Sequence, residues 1–161
     1  IITLHVQYSK NPSMKKEFIF KVSTKWQQGQ FENAKTHIST INGKNDLLVS
    51  AAREFKGEPH NYNPEDLLLS ALSSCHMMSY FYVCQQNGVE IERYIDNTTG
   101  ILELKSDSSG AFQKVTLNPI VFLKDTSKNE LALSLHKKAH ELCFIANSVS
   151  FPIEIKASIS S

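Results

Sequence analysis

Cysteine and arginine are scarce in this sequence, and neither sign of charge is in clear excess. Its 161 residues include only three cysteines, Cys75, Cys84 and Cys143. This odd and sparse set excludes the class of small secreted domain that disulfides hold together. Lysine and arginine total 17, against 16 aspartate and glutamate residues. Because a nucleic-acid surface needs a basic excess, we expect no nucleic-acid partner.

Recognisable targeting segments are lacking too. Residues 1–20 show neither the basic nor the apolar segment of a secretory signal. The stretch from Leu67 to Cys84 is uncharged and approaches the length of a membrane span. However, it holds several serines, a histidine and two tyrosines, and no second such stretch occurs. We therefore expect no membrane partner, a cytoplasmic location and one domain over residues 1–161.

The uncharged stretch predicts a buried helix. Asn63 is a good N-cap, Pro64 suits the first helical position, and the next two residues are acidic, as the helix dipole favours. Asn87-Gly88 predicts its end near Gln86. A helix that is apolar nearly all round must be covered on every face, and one small sheet covers only one side. We therefore expect a symmetric homodimer in which this helix packs against its partner's copy.

Alternating apolar and polar residues predict strands before and after this helix. Asn42-Gly43 predicts a hairpin turn, and Pro119 predicts an edge position or a bulge. A second helix is expected from Ser127, with Glu130 completing a capping box, to near Phe144. The predicted strands are residues 17–26, 36–41, 46–52, 89–94, 98–105, 112–123 and 150–158, with residues 1–16 as an extra N-terminal strand or extension. This order indicates an α+β fold with mostly antiparallel pairing.

Two stretches that contain cysteine resemble motifs of the OsmC/Ohr family, the osmotically inducible protein C and organic hydroperoxide resistance proteins. The first, residues 63–78, reads NPEDLLLSALSSCHMM, and the second, residues 140–148, reads HELCFIANS. In the family, the second cysteine is usually followed by Pro, a hydrophobic residue, Ser and Asn. The resemblance covers about residues 17–157. It implies an OsmC-like fold, with antiparallel sheets packed around a long buried central helix in an intertwined homodimer.

The resemblance also implies the chemistry of a thiol-dependent peroxidase. Cys75 is expected to be the peroxidatic thiolate that attacks an organic hydroperoxide, and Cys143 the resolving thiol. A neighbouring thiol protects the sulfenic acid, which more peroxide would otherwise over-oxidise. The resulting disulfide is expected to be reopened by a thiol reductant of the dithiol type, without a cofactor. Met78, Leu72 and Phe144 are expected to receive the apolar tail of the substrate.

The sequence departs from the family at the group that activates the thiolate. The family uses an Arg from the N-terminal strands, held by a Glu, and Glu65 matches that Glu. Ten residues separate Glu65 from Cys75, which is roughly 15 Å along a helix. We therefore infer that Glu65 serves the partner's Cys75 or acts through a long Arg. Its role as a favourable charge at the helix N-terminus is an equal alternative.

The expected Arg is replaced by another residue. The alignment places Asn33 at or near its position, and Arg53 and Arg93 are the only arginines. We predict Arg53 as the substitute, with Lys35 and His76 as weaker candidates. Lys carries the charge but lacks the planar group that could bridge a thiolate and a carboxylate.

Three other interpretations remain open. The first is an inactive or weakly active OsmC-fold dimer that binds a small molecule or serves a stress response. The second is a zinc site formed by His136, His140 and Cys143, which share one helix face, although we expect no metal. The third is a Cys-His hydrolase in which Cys75 is the nucleophile and His140 the base.

Overall fold

The computed structural model describes residues 15–160, so most of the predicted N-terminal strand or extension at residues 1–16 lies outside the described residues. Short strands surround two α-helices in the described part of the chain. The strands are β1 (Ser23–Lys25), β2 (His37–Thr40), β3 (Leu47–Val49), β4 (Ile91–Asp96), β5 (Thr99–Leu104), β6 (Gly110–Leu117), β7 (Pro119–Leu123), β8 (Ile153–Ile155) and β9 (Ser158–Ser160). The helices are α1 (Pro64–Gln86) and α2 (Asn129–Leu142). The predicted α+β class is confirmed.

Helix α1 begins and ends where its local signals predict. The side chain of Asn63 accepts the Asp66 N–H at 2.8 Å, which satisfies one of the free donors of the first turn. After Gln86, Gly88 adopts a φ of +65°, a left-handed conformation that favours glycine and ends the helix. By length and composition alone, α1 could also span a membrane.

The strands form three sheets of three strands each. Their orders are β1-β2-β3, β4-β7-β9 and β5-β6-β8. Pairing is antiparallel except for β6 with β8 and β7 with β9, which are parallel. The predicted strand 150–158 is therefore two strands in different sheets. The chain passes from one of these sheets to the other at Asn118, and again between Ile155 and Ser158.

Pro119 is neither in an edge strand nor at a bulge, so that prediction is wrong. It is the buried first residue of β7, which lies between β4 and β9. Proline is tolerated at the start of a strand, where its missing N–H disturbs the ladder least.

The start of α2 also differs from the prediction. The Asp125 carboxylate accepts both the N–H and the hydroxyl of Ser127, at 3.0 and 2.6 Å. Asp125 therefore caps a 3₁₀ turn that leads into the helix at Asn129, and the predicted capping box of Ser127 and Glu130 is not formed. The helix ends at Leu142, so Cys143 lies just beyond it instead of inside it.

One face of α1 is buried within the chain. Leu72, His76, Tyr80, Val83 and Cys84 form this face. The other faces are open in the single chain, and Met78 and Tyr82 are 61% and 57% exposed. The segment before β2 is more exposed still. Here β1 is shorter than predicted, and Phe20, which precedes β1, is 92% exposed. The sheets and α2 of one chain therefore cover only part of the central helix.

Candidate thiol site

The structure brings Cys75 and Cys143 together, although they are far apart in sequence. Cys75 lies in the middle of α1 and is half-buried, whereas Cys143 is fully buried. Both belong to one apolar cluster that includes Leu72, Val115 and Leu117. Cys143 has an extended backbone (φ −74°, ψ 107°) because it follows the last residue of α2. The Cys75 thiol, in the middle of α1, therefore packs against the Cys143 thiol, just beyond the end of α2.

An apolar cavity of about 370 Å³ opens beside Cys75. Its described lining has no charged side chain and consists of Cys75, Met78, Ser79, Tyr82, Leu142 and Phe144. Met78 and Phe144, two of the predicted substrate-binding residues, lie in this lining, and Phe144 is 80% exposed. Leu72 is fully buried in the cluster around Cys143 and does not line the cavity. The cavity offers an organic molecule apolar contacts next to the more accessible thiol.

The environment of Cys143 favours the neutral thiol. Burial raises the pKa of the Cys143 thiol to about 11, and the neighbouring Cys75 contributes to the rise. The Ala146 N–H donates to the Cys143 sulfur at 3.5 Å, which opposes the shift without reversing it. At neutral pH, Cys143 is therefore a protonated thiol, which can donate a hydrogen bond or transfer its proton.

Neither arginine lines the cavity beside Cys75. Arg53, the predicted substitute, is exposed at the start of a 3₁₀ turn, Arg53–Phe55. The guanidinium of Arg93 stacks on the Phe122 ring, 3.8 Å from its centroid. Within one chain, the thiol site therefore has no arginine among its described neighbours.

The residues at the expected Arg position have local structural roles. The Asn33 amide donates to the Lys56 carbonyl at 3.3 Å, and the Lys35 ammonium donates to the Phe55 carbonyl. These bonds tie the N-terminal sheet to the 3₁₀ turn at residues 53–55. Neither side chain lines the cavity beside Cys75.

Glu65 lies apart from Cys75, at a second cavity of about 460 Å³. This cavity is also lined by Phe55, Leu69 and Phe112. The Glu65 Oε2 atom is buried and has no hydrogen-bond partner among the described residues. Glu65 therefore does not line the cavity beside Cys75 of its own chain, and it lies in the first turn of α1.

A buried histidine pair joins the two helices, and sequence reasoning missed it. His76 Nε2 and His136 Nδ1 are 3.1 Å apart, and the Tyr80 ring stacks on His136 at 3.8 Å between centroids. Burial lowers the pKa of both histidines to about 4. His76 is therefore neutral at neutral pH and supplies no positive charge to Cys75. The uncharged sequence around His76 was the one available signal of its burial.

The zinc interpretation is contradicted by the geometry. The described residues contain no group of three or more His, Cys, Asp or Glu side chains that could hold a metal ion. His136 turns instead to His76, and Cys143 packs in the apolar cluster. His140 lines a different cavity from Cys75, beside Leu133 and Ile153, so the structure gives no support to a Cys-His hydrolase.

Known proteins share this combination of a long central helix, surrounding small sheets and mixed α+β order. The family described as OsmC-like protein matches residues 57–158, and the chain belongs to this family. An OsmC-like protein of unknown function from Vibrio cholerae superposes with a TM-score of 0.78 at 29% identity, covering 89% of this chain and 100% of that one. An organic hydroperoxide resistance protein from Legionella pneumophila superposes with a TM-score of 0.67 at 21% identity, covering 90% and 100%.

Sequence comparison gives a further relative. The uncharacterised protein YmaD of Bacillus subtilis is 28% identical over 129 residues, which is 76% of this chain and 84% of that protein. An organic hydroperoxide resistance protein from Elizabethkingia anophelis shares the fold, with a TM-score of 0.69 at 16% identity over 92% of this chain and 99% of that one. The resemblance to the OsmC/Ohr family and its fold is thus confirmed.

Proposed function

We propose that this protein is a thiol-dependent peroxidase that reduces organic hydroperoxides through Cys75 and Cys143. The observation that supports it best is the arrangement of the two thiols: a half-buried Cys75 faces an apolar cavity and packs against a fully buried Cys143. The solved structures from Legionella and Elizabethkingia, which share the fold, are named organic hydroperoxide resistance proteins.

The proposed reaction has three steps. The Cys75 thiolate attacks the distal oxygen of the hydroperoxide, the O–O bond breaks, and the alkoxide takes a proton to leave as an alcohol. The Cys143 sulfur then attacks the Cys75 sulfenic acid, which forms a disulfide and releases water made from the sulfenic hydroxyl and the Cys143 proton. A dithiol reductant reopens the disulfide by thiol exchange and is itself oxidised. No cofactor takes part.

The difference in accessibility supports the proposed roles of the two thiols. Cys75 lines the cavity, so a hydroperoxide reaches it first, whereas Cys143 is shielded by the apolar cluster. Cys143 also lies outside the regular part of α2, at the start of the irregular segment before the 3₁₀ turn Ala146–Ser148. Formation of the disulfide requires the two sulfurs to come within about 2.0 Å of each other.

We propose the homodimer as the active assembly. The exposed apolar residues Met78, Phe81 and Tyr82 on α1, with Phe18 and Phe20 before β1, form surfaces of a kind that a second subunit covers. Neither Glu65 nor Arg53 lines the cavity beside the Cys75 of its own chain, and in such a dimer we expect both to act on the partner's Cys75. Three free thiols fit a reducing, cytoplasmic location.

Peroxide turnover tests the function. Purified protein is mixed with an aryl or alkyl hydroperoxide and an excess of a small dithiol, and peroxide loss is followed. Wild type and Cys84→Ser are expected to consume it catalytically, whereas Cys75→Ser is expected to lose at least about 100-fold in rate because the nucleophile is gone. Equal rates for wild type and Cys75→Ser would contradict the proposal.

A small-molecule-binding dimer is the second candidate. The observation that favours it is the lack of an arginine among the described residues around Cys75. If binding is the function, hydroperoxides and the corresponding alcohols should bind the cavity equally well, with no loss of thiols. Calorimetric titration with the alcohol measures binding, and the count of free thiols after treatment of the wild type with the hydroperoxide separates this candidate from the peroxidase.

A further inference from the structure

A further cavity, the α2 cavity, lies between helix α2 and the segment that begins with β8. It has a volume of about 370 Å³ and shares no lining residue with the cavity beside Cys75. Its apolar lining residues are Leu133, Ile153, Ile155 and Ala157. Its polar lining residues are His136, Lys137 and His140. All three polar residues belong to α2, so one wall of the α2 cavity is polar and the opposite wall is apolar.

The described lining of the α2 cavity contains no carboxylate. Glu154 in β8 turns to the other face of its strand, where it pairs with Lys114 at 2.9 Å. Glu141, at the end of α2, pairs with Lys138 at 2.9 Å. No ion pair of Lys137 is found among the described residues. The α2 cavity therefore has a positive charge and no carboxylate in its lining to balance it.

His136 contributes a buried ring nitrogen that lacks a partner. The residue is 4% exposed, and its Nδ1 atom lies 3.1 Å from His76 Nε2. Its Nε2 atom is buried and has no hydrogen-bond partner among residues 15–160, and the same holds for His140 Nδ1. Because buried polar atoms in native proteins nearly always have partners, these two nitrogens indicate a bound group that the chain itself does not supply.

The charge of Lys137 favours a ligand that accepts hydrogen bonds. Burial lowers the pKa of His76 and His136 to about 4, so each ring is neutral at neutral pH and carries one proton. When His76 Nε2–H donates to His136 Nδ1, the proton of His136 lies on Nε2 and is available to a ligand. A metal cation is disfavoured by the same positive charge, and the described residues contain no group of three or more side chains that could hold one.

We propose that the α2 cavity binds a small organic anion, a carboxylate with a short apolar chain. The carboxylate accepts hydrogen bonds from His136 Nε2–H and from the His140 ring, and it faces the Lys137 ammonium. The apolar chain packs on Ile153 and Ile155. The cavity volume of about 370 Å³ is near the lower end of the range for small-molecule sites, which fits a short chain. This binding is separate from the proposed peroxidase and does not depend on it.

The NMR chemical shifts of the histidine ring nitrogens test this proposal. Wild-type protein at neutral pH and constant ionic strength is titrated with sodium hexanoate, with hexan-1-ol and with inorganic phosphate. We expect hexanoate to shift the ring nitrogens of His136 and His140 to saturation. Hexan-1-ol lacks the charge and phosphate lacks the chain, so neither should saturate these shifts. Because the signals are local, hexanoate bound in the cavity beside Cys75 is not counted.

Three variants test the individual contacts. His136→Leu is expected to weaken hexanoate binding about tenfold, followed at His140, because it removes a hydrogen bond to a charged group. Lys137→Gln is expected to weaken it about threefold, as for an exposed ion pair. Lys138→Gln is the matched control, because this exposed neighbour lies outside the lining and should bind like wild type. If His136→Leu does not fold, the two exposed lysine variants decide.

Several results would overturn the proposal. If hexanoate gives no saturating shift at tens of millimolar, the two ring nitrogens are completed by water. Equal saturation by hexan-1-ol would indicate an apolar surface only, and equal saturation by phosphate would indicate a simple anion site. Saturation of the same signals by micromolar zinc chloride would indicate a metal site instead. Equal weakening in Lys137→Gln and Lys138→Gln would show that hexanoate does not bind beside Lys137.

Discussion

At the scale of single residues, the buried pair His76 and His136 makes the fold sensitive to acid. Both pKa values are lowered from 6.5 to about 4 in the folded state, chiefly by burial. The unfolded chain therefore takes up protons from about pH 6.5 downward, while the folded chain resists until about pH 4. The stability that depends on the neutral pair is complete above the unfolded value and is lost as the pH falls through this window.

We expect the free energy of unfolding to fall between about pH 6.5 and about pH 5 by roughly 1.4 kcal/mol per pH unit for each histidine. Denaturant titrations at several pH values measure it. His60→Gln, at an exposed position, is the matched control and should keep the wild-type dependence. His136→Leu should flatten it. If His136→Leu shows the same pH dependence of the free energy of unfolding as wild type, that dependence does not come from the histidine pair.

Two of the predicted substrate-binding residues, Leu72 and Phe144, differ in how deeply they are buried. Leu72 is fully buried and packs near Cys143, whereas Phe144 is 80% exposed and lines the cavity. We expect Leu72→Ala to lower the free energy of unfolding by about 2–5 kcal/mol, because it leaves a cavity in the core. Phe144→Ala should change stability by less than about 0.5 kcal/mol.

The Phe144→Ala variant also tests the cavity as the substrate site. Phe144→Ala is expected to raise KM several-fold for a bulky aryl hydroperoxide and much less for hydrogen peroxide, because the lost contact is apolar. Steady-state kinetics on both peroxides measure this difference. An equal change in KM for both would argue that Phe144 does not contact the organic tail.

The proximity of the two thiols could be predicted from the sequence, whereas their surroundings could not. The motifs around Cys75 and Cys143 predicted that two distant thiols meet, and the structure brings them into one cluster. The pairing of His76 with His136 depends on how α1 crosses α2, which no local pattern specifies. The burial of Leu72 against Cys143 depends on the same crossing.

At the scale of elements, α1 was predictable because its signals are local. The cap at Asn63 and the glycine after its end act within a few residues of the boundaries. The start of α2 was mispredicted because Asp125, two residues before Ser127, caps the preceding turn instead. Residues 150–158 were mispredicted as one strand because their division into β8 and β9 depends on pairing with β6 and β7.

The Asn63 cap makes a measurable contribution to stability. Its side chain accepts the Asp66 N–H at 2.8 Å and also donates to the Asp66 carboxylate at 2.6 Å. We expect Asn63→Ala to lower the free energy of unfolding by about 1 kcal/mol, and Asn63→Ser, which keeps a capping oxygen, to lower it much less. Chemical denaturation of the three proteins checks this. Equal stabilities for the alanine and serine variants would show that the cap is not the cause.

At the scale of the whole molecule, the open faces of α1 support the proposed dimer. Phe81 is 38% exposed on α1, and Leu131, on α2, is similarly exposed at 40%. We expect a solution mass of twice 18.1 kDa at micromolar concentration. Phe81→Lys should shift the mass toward the monomer, because it buries a charge in the interface, while Leu131→Lys should not.

Light scattering coupled to gel filtration measures these masses. A monomeric mass for wild type would contradict the proposed dimer. Equal dissociation of Phe81→Lys and Leu131→Lys would also contradict it. The sequence predicted that α1 needs more cover than one sheet provides. It could not predict which faces remain open, because that depends on where the sheets and α2 pack.

The central claim is that Cys75 and Cys143 act as one redox pair, and disulfide mapping tests it most directly. Reduced protein is treated with one equivalent of an alkyl hydroperoxide, free thiols are counted, and cross-linked peptides are identified by mass spectrometry. The account predicts that two of the three thiols are lost, that the peptides of Cys75 and Cys143 are joined, and that Cys84 stays reduced. Retention of all three thiols, or a disulfide that includes Cys84, would contradict it.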